Sequence, residues 1–212
     1  MSSLSTQDVV TLFTHIASAI EAQKDHLSAL DGVIGDADHG VTMAMGFNAV
    51  TAALAAAPPG DPTSAFNTAA KAFLNAVGAS SGPLYATAFM RAAAAVKGKA
   101  TLDRDAMVDV LSAMAKGMQD RGKAERGEKT MMDAWLPAAE AAREALAKDE
   151  SAAACFAAAV AAGEAGAEAT KNMVASKGRS SRLGERSLGH MDPGAASAVI
   201  ILKEIQKAVA GM

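Results

Sequence analysis

Residues 5–20 read STQDVVTLFTHIASAI. Val9, Val10, Phe13, Ile16, Ala17 and Ile20 return every three or four positions, which places them on one face of an α-helix. Ser5 or Thr6 stands ahead of them as a candidate cap, since a short hydroxyl side chain can accept a hydrogen bond from a free first-turn amide. A strand would need alternation every second residue, and no stretch of the chain sustains it.

Working outward, the pattern repeats. Further helices are expected over about 23–33, from Gly40 to the breaker Pro58-Pro59-Gly60, over 63–77, and from Gly82-Pro83 to Val96. Others follow over 103–118 with Thr101 as a candidate cap, then over 130–147, 151–176 and 193–209. Alanine makes up about a quarter of the 212 residues. It has the best helix propensity and a small side chain, so long helices packed close together are the natural outcome. Without a long linker or an internal repeat, the expectation is one all-α domain over residues 1–212, with eight or nine helices.

Bulk properties narrow the function classes. A net charge of −3 carries no footprint for nucleic acid. Cys155 is the sole cysteine, so an intrachain disulfide and a cysteine-rich metal site are both excluded, which suits a reducing cytoplasm. The first ten residues lack the basic and apolar regions of a secretory signal. The alanine runs are interrupted too soon, as by Glu164 and Glu168, to span a bilayer.

The polar chemistry is concentrated in four inter-helix loops. In DGVIGDADHG (31–40), Asp31, Asp36 and Asp38 repel one another unless a cation neutralises them, and Mg²⁺ favours a few carboxylates plus phosphate and water. Caps and turns account for any single one of these aspartates as well as a metal does. An EF-hand is excluded because the twelfth position from Asp36 is Phe47. With one histidine, His39, and no nearby cysteine, the loop does not suit zinc. GASSGP (78–83) offers Ser80 and Ser81 as phosphate donors, although a tight turn explains its glycines equally well. RGKAERGEKTMMDAW (121–135) taken alone reads as a solvated loop. KGRSSRLGERSLGHMDPG (177–194) combines Lys177, Arg179, Arg182 and Arg186 with glycines ahead of Asp192, the composition of a lid over phosphates. Together the loops suit a Mg-nucleotide site and phosphoryl transfer, with no acceptor named.

Four strings, GDADHGVTMAMGF from Gly35, GASSGPLYATAFMRAA from Gly78, RGKAERGEKTMMDAW from Arg121 and KGRSSRLGERSLGHMDPGAAS from Lys177, resemble the nucleotide-binding L subunits (DhaL) of dihydroxyacetone kinases in order and spacing. The resemblance implies a barrel of eight antiparallel amphipathic helices with the nucleotide among the loops at one end. It implies that Asp31, Asp36 and Asp38 hold two Mg²⁺ ions on the phosphates of ADP or ATP, with His39, Gly40, Val41 and Thr42 beside them. It further assigns Ser80 and Ser81 to the phosphates, Gly122 and Thr130 or Met131 to the adenosine side, Arg179 to a catalytic contact in the lid, and Asp192, Pro193 and Gly194 to the last nucleotide turn. The acceptor would be dihydroxyacetone on a separate K subunit, and the donor either exchanging ATP or a phosphotransferase-system protein that recharges bound ADP. A related ketose such as erythrulose, a regulatory partner such as a transcription factor, and a homodimer are further options the resemblance allows.

Overall fold

The computed structural model describes residues 3–210, so the first two and last two positions of the expected 1–212 domain lie outside the described residues. Nine α-helices are found among them: α1 (Thr6–Ala22), α2 (Lys24–Ile34), α3 (His39–Ala56), α4 (Pro62–Ala76), α5 (Ser81–Ala95), α6 (Arg104–Gly122), α7 (Met132–Ala147), α8 (Ala152–Ala169) and α9 (Pro193–Val209). None is long and apolar enough to cross a membrane.

Short polar side chains set the starts of α1, α4, α6, α8 and α9. Ser5 and Asp8 form a reciprocal capping box on α1, and Asp61 with Ser64 does the same on α4. At α6 the cap is Asp103, which accepts the Ala106 N–H at 2.8 Å, and not Thr101 as expected; a carboxylate immediately before the helix reaches the third amide directly. The helix expected to run to Ser176 stops at Ala169. There Thr170 Oγ1 donates back to the Ala167 carbonyl and the Thr170 carbonyl is taken by Lys129 Nζ, so the chain tightens into a 3-10 turn over Thr170–Asn172.

Eight of the helices close a ring. Each of α3 to α8 packs against the next, α8 packs against α9, α9 against α1, and α1 against α3. The ninth, α2, lies outside the ring on α3 and α9, which reconciles nine helices with an eight-helix barrel. An aromatic cluster sits in the interior: Phe47, Phe73, Phe89 and Tyr85 meet within 5.3–6.3 Å, and Phe13 and Trp135 extend it. Elsewhere small residues allow close approach, and α7 and α8 lie so near each other that a Cβ at Gly166 would overlap the Asp133 carbonyl oxygen.

Short connections from α3 through α8 make these consecutive helices antiparallel, and the longer segment 170–192 brings the chain back to α9. As a result the starts of α3, α5, α7 and α9 gather at one end, with the ends of α2, α4, α6 and α8. A helix start carries about half a positive charge and unused amides, so this end attracts anions before any side chain contributes.

Candidate functional site

Asp31 lies in the last turn of α2 and is 8% exposed. Its Oδ2 accepts the N–H groups of Asp38 at 2.9 Å and His39 at 3.2 Å, so it caps α3 from another helix; Asp38, at the formal cap position, makes no side-chain cap. That bridge folds the turn 35–38, with Ala37 in the left-handed region at φ 62°, and brings one carboxylate oxygen each from Asp31, Asp36 and Asp38 within 4.8 Å of one another. Burial, and then the charge of Asp31, push the Asp38 carboxyl above its usual range. Arg179 reaches across from the segment between α8 and α9 and pairs with Asp36 and with Asp38, the latter at 3.4 Å. Three clustered oxygen donors of this kind fit a divalent cation that prefers hard ligands, Mg²⁺ above all.

The triad forms one wall of a cavity of about 500 Å³ at the end where the helix starts converge. His39 and Thr42 line it from α3, one turn apart. Gly40 and Val41 do not, because the helix turns them away: Gly40 packs on the Lys24 carbonyl and Val41 is exposed. His39 Nε2 bonds Ser197 Oγ at 2.9 Å, and burial lowers its pKa, which keeps it neutral. Ser80 and Ser81 open α5, whose start has no side-chain cap of its own. Gly82 is required there, since a Cβ would overlap the Val77 carbonyl oxygen. Gly122, Thr130, Met131, Lys177 and Arg179 also line the cavity; Arg182 and Arg186 of the same basic cluster do not reach it.

Two features of the cavity are not legible in the sequence. The apolar side chains of Leu84, Met118, Ala124 and Met132 line the cavity along with Met131. They were indistinguishable from core residues, since apolar periodicity does not say whether a helix face meets a neighbour or a cavity. The loop 121–135 is also not a solvated loop throughout, because Lys129 and Asp133 are 2% and 3% exposed. Asp133 accepts the N–H groups of Gly127 and, at 2.8 Å, of Thr130, which closes this turn on itself and delays α7 to Met132.

Asp192 caps α9 by accepting the Ala195 N–H at 2.8 Å. Desolvation pushes its carboxyl up to about 7, against the opposing effects of that hydrogen bond and of Lys129. In the unfolded chain the group titrates near 4. Between about pH 4 and pH 7 the folded protein therefore holds a proton that the unfolded chain has released, and stability falls as pH rises through this window. The loss is on the order of 2–4 kcal/mol, at about 1.4 kcal/mol per pH unit. Asp192→Asn keeps a capping oxygen and removes the charge, so urea midpoints should favour the variant at pH 8 more than at pH 5; parallel pH profiles would contradict this origin of the dependence.

A wider groove of about 670 Å³ lies over α9 between α1 and α8, but its acids are already paired, Glu164 with Lys203 at 2.7 Å and Glu204 with Lys207 at 2.6 Å. It carries no comparable donor set.

Comparison with known proteins identifies the family of the whole chain. The DAK2 domain family model matches residues 33–207. The ADP-binding subunit DhaL of the PEP-dependent dihydroxyacetone kinase of Escherichia coli K12 is 38% identical over 201 residues, covering 95% of this chain and 96% of the relative. The ADP-binding subunit DhaL of the PTS-dependent dihydroxyacetone kinase of Lactococcus lactis is 37% identical over 90% of this chain and 91% of the relative. The solved dihydroxyacetone kinase of C. freundii in complex with AMP-PNP and Mg²⁺ superposes with a TM-score of 0.73 at 25% identity, over 98% of this chain. The overlap covers 35% of that longer protein, so the chain spans about a third of it.

Proposed function

The chain belongs to the DAK2 domain family, and on that premise we propose that it is the ADP-holding L subunit of a dihydroxyacetone kinase, residues 1–212 acting as one nucleotide-binding domain. The observation that carries this reading is the meeting, in one cavity, of the Asp31–Asp36–Asp38 cluster, the uncapped start of α5 and Arg179. Phosphoryl transfer asks mainly for positioning and charge neutralisation, and these groups supply both.

Asp31, Asp36 and Asp38 would hold the metal, two Mg²⁺ ions by the family resemblance; Mg²⁺, when bound, neutralises phosphate charge as the group transfers. Ser80 and Ser81 offer hydroxyl and amide donors to the phosphates at a helix start. The apolar side chains of Leu84, Met118 and Met131 would take the flat base, with Gly122 and Thr130 lining the same cavity. Asp192, Pro193 and Gly194 close the floor, and Arg179 sits where a guanidinium can follow the moving phosphoryl group.

The acceptor is dihydroxyacetone held by a separate K subunit, which must dock at the cavity mouth. That relatives matching over nearly their whole lengths are PEP- or PTS-dependent supports ADP as a retained cofactor, recharged in place by a phosphotransferase-system protein in the cytoplasm.

Arg179→Ala should lower turnover with the K partner by about a hundredfold, the usual cost of removing one donor to developing charge, with thermal stability unchanged. Wild-type turnover in this variant would remove Arg179 from the chemistry. Assay of the wild-type pair on dihydroxyacetone and erythrulose tests the substrate, and no turnover of dihydroxyacetone would refute it.

A further inference from the structure

Lys129 is 2% exposed although it lies in a loop, and its backbone is left-handed at φ 59°. Burying an ammonium costs several kcal/mol unless its N–H groups find strong acceptors. Asp133 creates the arrangement: by holding the Gly127 and Thr130 amides it bends the turn so that the Lys129 side chain runs inward.

The two acceptors of Lys129 Nζ are the carbonyl of Thr170, at 2.6 Å, and the carbonyl of His190. Thr170 is where the chain leaves α8, and His190 is where it returns to α9. Between them runs the lid that carries Arg179 to Asp36 and Asp38. The same base is tied twice more, by Asp192 N–H to Thr170 Oγ1 at 2.9 Å and Gly189 N–H to the Lys171 carbonyl at 2.7 Å. Both ends of the lid thus converge on one buried charge, which also lines the cavity.

We propose that Lys129 is a positioning residue for the bound nucleotide: its ammonium pins both ends of the lid to the turn at 127–133, and this pin sets how long Mg·ADP stays under Arg179. The functional half rests on the reading of the cavity given above; the pin rests on the hydrogen bonds alone. A subunit that keeps ADP through many turnovers needs slow release, and a lid hinged at a fixed base opens less often than one joined only by flexible chain.

Lys129→Met keeps the length of the side chain and removes its donors. In the nucleotide-free protein, amide hydrogen exchange over 171–191 should speed up by about tenfold or more while α3 to α7 keep wild-type protection, since a hydrogen bond to a charged group is worth roughly tenfold or more in a local equilibrium. The Mg·ADP dissociation rate should rise by a similar factor, and turnover with the K partner should recover in excess free ADP. Thr170→Val serves where Lys129→Met does not fold. It removes the acceptor of the Asp192 N–H without touching a charge, and should loosen the same segment. Unchanged exchange over 171–191, or core and lid protection lost together, would overturn the pin. A wild-type protein that fails to bind Mg·ADP would overturn the functional half through the site reading instead.

Discussion

Replacing Asp36 or Asp38 by alanine is expected to abolish Mg²⁺-dependent retention of ADP while leaving the helices intact. Losing even an outer partner of a metal site costs 10–100-fold in affinity, so the loss of a direct ligand should exceed about a hundredfold. Stability should hardly change, within about 0.5 kcal/mol, because both side chains are partly exposed and each removal relieves repulsion within the cluster. Asp31 is different. Its Oδ2 organises the start of α3 through the Asp38 and His39 amides, so Asp31→Ala would mix a metal effect with about 1 kcal/mol of lost capping. Full ADP occupancy of the Asp36 or Asp38 variant after gel filtration would refute the metal assignment.

Gly166→Ala should be strongly destabilising, although alanine is the better helix former by about 1 kcal/mol. A Cβ there would overlap the Asp133 carbonyl oxygen and crowd Pro137 Cγ at 3.2 Å, and backbone cannot rotate away as a side-chain tip can. Parting α7 from α8 should leave a net loss of about 2 kcal/mol, or a fall in Tm of roughly 4–8 °C for a chain this long. The strain falls on the residue that staples the 127–133 turn, so Met131 and Lys129 should shift with it. A Tm at or above wild type would show that the two helices are not held at this spacing.

Much of the fold was legible because alanine content and a three-to-four residue period point the same way along the whole chain. Ring closure was not, since the contact between α1 and α9 joins segments some 180 residues apart, and periodicity records only that each helix has an apolar face. The acidic triad, Ser80, Ser81 and Arg179 were readable as polar residues concentrated between helices, and the structure gathers them in one cavity. Gly40 and Val41 leave the cavity wall because helical phase, fixed by a start at His39, turns them elsewhere. Lys129 was hidden in a charged stretch, and its burial is decided by two carbonyls 41 and 61 positions away. Capping by Asp31 was likewise invisible, because the carboxylate and the amides it serves belong to different helices.

The role proposed for Asp31, Asp36 and Asp38, holding Mg·ADP as a resident cofactor, is decided by the nucleotide that survives gel filtration with Mg²⁺ and with a chelator. Stoichiometric ADP, released by the chelator and not displaced by added ATP, is the predicted result. A protein that retains no ADP in Mg²⁺, or retains it equally after chelation, would contradict the account.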